Sequence, residues 1–231
     1  MLGSGADAQK ILFIMAFTAV LFGSVNAARE IVKEAPIYRR ERTVNLGIIP
    51  YMFSKIVVLA LLCLLQTAIL VIIVNIVEPF QQGIILPAIL EVYITMALTT
   101  LAGLMLGLAI SATAPNTDRA MSFIPIILIP QVIFSGTVFA FKDWFTQILA
   151  TLFAARWSIA ALGSSIGLHS DKISGDKLFG NNYTYHGTLF STYTQTNATN
   201  YLLTMWIVLG VMIVVLACAT GFFLKRKDVR V

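Results

Sequence analysis

Between Lys55 and Glu78 the chain carries no charged residue, and Ile56–Val77 is apolar apart from Gln66, Thr67 and Asn75. A helix rises about 1.5 Å per residue, so roughly 20 such residues cross the hydrocarbon core of a bilayer, about 30 Å thick. Four more stretches share this character without a single charge: Ile11–Ala28, Val92–Ala112, Ala120–Phe139 and Tyr201–Leu224. The expectation is an all-α polytopic membrane protein with five transmembrane helices. Composition agrees, with 58% hydrophobic and 12% charged residues against roughly 45–50% and about 25% in soluble globular domains. A sixth apolar stretch, Trp144–Leu168, differs: it contains Arg156, is rich in Ala, Gly and Ser, and follows Phe134-Ser135-Gly136. It reads as short helices re-entering the outer leaflet, because non-helical backbone at membrane depth survives only against protein or water.

Charge sets the orientation, since short cytoplasmic loops carry the Lys and Arg excess. Arg29, Lys33, Arg39, Arg40, Arg42 and Lys55 lie in or beside the first loop, and Lys225, Arg226, Lys227 and Arg230 in the tail. Both belong in the cytoplasm. The Glu78–Gly83 connection has no basic residue and belongs outside, as does the polar stretch from His169 to Asn200, where Asn182-Tyr183-Thr184 and Asn197-Ala198-Thr199 have the pattern of glycosylation acceptors. Five spans and a cytoplasmic tail put the first residue outside. That start is expected of a single transmembrane domain, 1–231, lacking a preceding span and a cytoplasmic domain. The net charge of +5 sits at the ends of spans, which is topological and does not point to nucleic acid.

Catalytic constellations are missing from the sequence. It contains no Walker-type phosphate loop, no HExxH and no GxSxG, and His169 and His186 lack metal-ligand spacing. Cys63 and Cys218 lie inside apolar runs and read as small hydrophobes. No catalytic or metal residue is expected, and the chain is not read as an enzyme. Glu91 adjoins a span that is long enough without it, so its expected place is the outer interface. Arg156 reads as a ligand anchor or as a satisfied charge beside Trp157 at the headgroup level. Gly103, Gly107 and Ser111 form a small-residue stripe that allows close helix approach, within the chain or between copies.

Arg29–Ser54 is the most informative segment. Arg29, Glu30, Lys33 and Glu34 extend the first span without a breaker, and Glu30 and Glu34 are one turn apart. Pro36 resets the chain, and Ile37-Tyr38-Arg39-Arg40-Glu41-Arg42 predicts a short surface helix before the turn residues Asn45 and Gly47. It would either snorkel into lipid phosphates or dock a cytoplasmic partner. In the second cytoplasmic connection, Asn116 or Thr117 is an N-cap candidate.

The order of elements resembles the permease domain of the G-subfamily ABC exporters, the white-pigment and multidrug half-transporter type, within the type-2 export permeases. The resemblance rests on Phe22-Gly23-Ser24-Val25-Asn26 entering a charged loop, Arg40-Glu41-Arg42, Tyr51-Met52-Phe53-Ser54-Lys55, Ala114-Pro115-Asn116 through Arg119-Ala120 and Pro125, then Phe134-Ser135-Gly136 and a long outer loop. It implies that Glu34, Arg39, Arg40, Glu41 and Arg42 couple to an ATPase. It further implies a substrate cavity lined by Thr18, Phe22 and Asn26 on the first helix and by Leu128, Ile129 and Val132 on the fourth. Multidrug members close this cavity with a leucine pair after FSG; Thr137-Val138 stands here instead.

The function expected is the permease of an ATP-driven exporter, moving a hydrophobic or amphipathic substrate by alternating access in a plasma or bacterial inner membrane. Pro125 and Pro130 would break the fourth span for that movement. The implied partners are an ABC ATPase domain or subunit, which holds the ATP and Mg, a second permease half, identical or not, and the lipid bilayer. The rival readings are a non-transporting scaffold or receptor, which leaves the Arg-rich helix unexplained, and a proton-coupled secondary transporter, which needs buried titratable groups and inverted repeats.

Overall fold

The computed structural model describes residues 5–43, 47–80, 83–137, 144–168, 189–190 and 195–228. Among them are nine helices and no strand: α1 Gly5–Ala27, α2 Glu30–Lys33, α3 Ala35–Thr43, α4 Ile48–Val77, α5 Ala88–Thr113, α6 Thr117–Ile133, α7 Trp144–Ala150, α8 Ala154–Ser165 and α9 Gln195–Asp228. Four stretches are long and apolar enough to cross a membrane: Ala8–Lys33, which takes in α1 and α2, then α4, α5, and Ala198–Arg226 within α9. A fifth is added if α7 and α8, bent by 91° to one another, count as one.

The expected boundaries need two corrections. Helix α4 begins at Ile48, well before Ile56, because Pro50 falls in its first turn, where a missing N–H leaves no helical bond unmade. Helix α6 ends at Ile133, short of Phe139, and its 17 residues span about 26 Å. The chain turns there because Gly136 takes φ 81°, a left-handed conformation that glycine adopts without a Cβ clash. Residues 138 and 139 lie outside the described residues. Pro125 and Pro130 do not break this helix; both sit inside a continuous α6. At its start, Asn116 is the cap, its side chain accepting the Arg119 N–H at 2.9 Å.

Helix α5 is the centre. Of its apolar stretch 72% is buried, against 22% for α4 and 17% for α9, so the other helices gather around it. The small-residue stripe explains how α1 comes closest. A Cβ on Gly103 would lie 2.6 Å from the Val20 carbonyl oxygen, and one on Gly107 would lie 2.5 Å from that of Ser24. Gly23 meets α5 from the other side, its missing Cβ replaced by the backbone of Thr100 and Leu104. The stripe therefore packs within the chain, backbone against backbone.

Hydroxyls complete the centre. Thr95, Thr99 and Thr100 each donate to the carbonyl four residues back, at 2.7 to 2.9 Å. Each also reaches a different neighbour: Thr100 lies 2.9 Å from Thr67 on α4, Thr99 lies 2.8 Å from Ser158 on α8, and Trp206 on α9 donates to Thr95 at 2.8 Å. At the turn between α6 and α8, Gln131 accepts the Ala155 N–H at 3.0 Å, and Phe134 stacks on Phe153 at 5.0 Å. The bend of the α7–α8 pair is thereby tied to the end of α6.

Glu91 stands at the end of α5 where the outer interface was expected, with its side chain turned inward. It is in the first turn of α5 but fully buried, and its Oε1 accepts the N–H groups of Ile84, Ile85 and Leu86 at 2.9, 2.5 and 2.8 Å. The connection before α5 has no other acceptor for those three donors among the described residues, so the carboxylate folds inward to serve them. Elsewhere apolar side chains face outward along α4 and α9, including Leu61, Leu65, Ile72, Ile207 and Val214, as a chain solvated by hydrocarbon requires.

Overpacking the α1–α5 contact should unfold the centre. Gly103→Val is expected to destabilise by at least about 1–3 kcal/mol, seen as a lowered midpoint of thermal aggregation in detergent. Gly210→Ala on α9, where nothing lies within 4 Å, is expected to leave that midpoint unchanged or raise it, since alanine favours helix by about 1 kcal/mol.

Candidate functional site

The charged segment between α1 and α4 folds as two short helices held on two sides. Helix α2 is a single turn, and its leading N–H groups have no intrahelical acceptor. Ser111, at the end of α5 and fully buried, supplies one: its Oγ accepts the N–H groups of Ile31 and Val32, both at 3.0 Å. Position 111 thus extends the glycine stripe by one turn and converts close packing into a cap.

On the other side, Lys55 of α4 pairs with Glu34 and lies 3.8 Å from Glu30, which also holds Lys33 at 2.5 Å. Tyr51 donates to Glu34 Oε2 at 3.4 Å, and its ring sits 4.7 Å from that of Tyr38 on α3. Both tyrosines are buried. Two acids one turn apart therefore converge on one lysine, and α2 and α3 are fixed to the base of α4. The sequence signal was present in Glu30 and Glu34, but Lys55 carried information only about orientation until the fold placed it between them.

The five residues of the expected coupling set separate accordingly. Glu34 is held by Lys55 and Tyr51 of its own chain. Arg40 and Glu41 are exposed on α3, next to Ile37, which is 57% exposed. Arg39 and Arg42 belong to the same helix, with side chains outside the described residues.

The expected cavity residues are partly brought together. Thr18, Phe22 and Asn26 are half-buried along one side of α1. Asn26 donates to Gln66 Oε1 at 2.7 Å on α4, so its amide is engaged within the chain. On α6, Leu128 is 7% exposed and packs with Val20, Ile124 and Leu209, whereas Ile129 is 57% exposed and Val132 half-buried. Leu128 and Ile129 do not share a face, because adjacent helical residues point about 100° apart.

Two cavities adjoin these helices. One, of about 250 Å³, is apolar and lies among Val20, Gly103, Leu106, Gln131, Leu152 and Met212. The other, of about 520 Å³, lies at the basic end between α1–α2 and the start of α6, and Asn26 is the expected residue that lines it. Thr18, Phe22, Leu128, Ile129 and Val132 line neither. Among the described residues, no three His, Cys, Asp or Glu side chains converge as a metal site.

Residues 2–166 match the family model described as ABC-2 type transporter. The chain belongs to that family. The match runs from α1 through α8 and so contains both the clamped helices α2–α3 and the α1–α6 cavity. The chain is also 30% identical over 170 residues to the ABC transporter ATP-binding/permease protein Rv1747 of Mycobacterium tuberculosis. That alignment covers 69% of this chain and 19% of the relative, so the chain spans about a fifth of the protein it matches. With its apolar helices, this ABC-2 chain is a multi-pass integral membrane protein with a transport permease role.

Removing the Ser111 hydroxyl leaves two buried N–H groups without an acceptor, at about 1–3 kcal/mol. Ser111→Ala is expected to speed amide hydrogen exchange at Ile31 and Val32 by roughly tenfold or more, while exchange in the middle of α5 is unchanged.

Proposed function

We propose that this ABC-2 chain is the permease of an ATP-driven exporter of the G-subfamily type, moving hydrophobic or amphipathic cargo by alternating access. The observation that carries the reading is the double fixing of α2–α3, to α5 through Ser111 and to α4 through Lys55 and Tyr51, with Arg40 and Glu41 left exposed. A charged helix so held is a handle: force applied to α3 reaches the central helix α5 and the outward-facing apolar helix α4 together. The relative described as an ATP-binding/permease protein supports an ATPase as the source of that force, and with it the ATP and Mg.

In this reading the basic end and the C-terminus are cytoplasmic, and α3 is the coupling helix. Helix α3, with Arg39, Arg40, Glu41 and Arg42, couples to the ATPase, while Glu34 transmits rather than contacts. The half-buried face of α1, with Thr18, Phe22 and Asn26, and the outward residues Ile129 and Val132 of α6 line a path shared with a second permease half. Leu128 supports α6 from behind. Helix α6 crosses the membrane with the FSG turn, and α7–α8 form the re-entrant segment.

The test is ATP turnover of the native-length protein in lipid nanodiscs. Arg40→Glu with Arg42→Glu is expected to reduce cargo- or lipid-stimulated turnover about tenfold, the loss of roughly 1.4 kcal/mol of coupling, with the ATPase still assembled. A protein that purifies with no ATPase, fused or bound, overturns the exporter reading in favour of a scaffold.

A further inference from the structure

The 520 Å³ cavity at the basic end has two chemically different ends. Val25 of α1 and Met121 of α6 form one end. Both belong to the apolar seam in which Val20, Ile124 and Leu128 are buried. Arg29, Lys33, Glu30 and Asp118 form the other end. The cavity thus runs from charged groups directly into the packing between the two helices assigned above to the transport path.

Its charges do not cancel locally. Glu30 is shared between Lys33 and Lys55, and Lys55 also holds Glu34. That leaves the Arg29 guanidinium and the Asp118 carboxylate facing a common space, both exposed and, among the described residues, neither in an ion pair. Asp118 lies in the first turn of α6, where the exposed helix N–H groups favour a carboxylate, and Arg29 presents a planar fork suited to phosphate oxygens. Lys33, already paired, adds positive charge on the Arg29 side.

We infer that this cavity is a headgroup site for a zwitterionic amphiphile, a lipid whose phosphate meets Arg29, whose ammonium meets Asp118 and whose chains enter the α1–α6 seam past Val25 and Met121. The inference rests on the permease reading for its meaning in transport, naming the class of cargo or of resident lipid. Its test is a binding test and stands apart from it. An anionic lipid satisfies Arg29 but brings its charge towards Asp118 with nothing to offer it. A cationic amphiphile has the opposite mismatch.

The experiment is native mass spectrometry of the native-length protein, with its ATPase, released from nanodiscs of equal phosphatidylethanolamine and phosphatidylglycerol. The expected result is retention of phosphatidylethanolamine over phosphatidylglycerol, reduced about tenfold by Arg29→Gln and by Asp118→Asn alike, as fits the loss of one charge-assisted contact. The exchange of the two charges, Arg29→Asp with Asp118→Arg, is expected to restore retention, because the headgroup can reverse. All variants change exposed side chains, and an unaltered thermal midpoint establishes their folding. Equal retention of both lipids, or sensitivity to Arg29 alone, overturns the zwitterionic site. Loss of retention on adding water-soluble glycerophosphoethanolamine overturns the lipid as occupant in favour of the free headgroup. If retention behaves as expected while ATP turnover ignores the Arg40 and Arg42 changes, the site stands and the exporter reading falls.

Discussion

The contact on which the structure depends is backbone against backbone, where Gly23 of α1 meets Thr100, Gly103 and Leu104 of α5, and Gly103 and Gly107 of α5 meet Val20 and Ser24 of α1. Inside a bilayer there is no hydrophobic gain from bringing two apolar helices together, so close approach and the dispersion and hydrogen bonding it permits must hold them. With α1 seated, Ser24 donates to the Val20 carbonyl at 2.7 Å and lies 3.3 Å from that of Gly103. One turn further along α5, Ser111 falls beneath the end of α1 and caps the helix that follows. The position of the charged segment is therefore inherited from the glycine register, not set by its own short helices.

Much of this was legible in the residues. Four of the five expected spans were, because the thickness of hydrocarbon sets a length that few other constraints impose, and Tyr201–Leu224 and Val92–Ala112 lie wholly within observed helices; Ala120–Phe139 was not, since α6 is 17 residues long and is not among the helices long and apolar enough to cross. The bent character of Trp144–Leu168 was legible from Arg156 and its small residues. What escaped reading was partnership. Gly103 and Gly107 announce a close contact without saying with which helix, and Glu91 announces a carboxylate without showing the three N–H groups that draw it inward. The end of α6 depended on a single positive φ at Gly136, whereas Pro125 and Pro130, the louder signals, left the helix continuous. The candidate site divides the same way: helix α3 was visible from its charges, but Glu34 turned out to be bound by Lys55 and Tyr51, a pairing across two loop-separated elements that no local pattern encodes.

The charged residues at the basic end fall into three physical situations. Glu30, Glu34, Lys33 and Lys55 neutralise one another in a joint that can sit near hydrocarbon without uncompensated charge. Arg40 and Glu41 are exposed, where water screens them and a partner can reach them. Arg29 and Asp118 line one cavity, and among the described residues neither is in an ion pair. The family match spans all three groups.

The threonines of α5 have a consequence for motion. Thr95 gives its proton to the Glu91 carbonyl of its own helix, which leaves its hydroxyl oxygen as the acceptor for the Trp206 indole N–H, whereas Thr99 has one proton to share between the Thr95 carbonyl and the Ser158 hydroxyl. If α9 slides away, α5 keeps only a lone pair at Thr95 and the donor travels with Trp206. The central helix thus grips α4, α8 and α9 each by a single side-chain bond among the described residues, and each can part separately from the others.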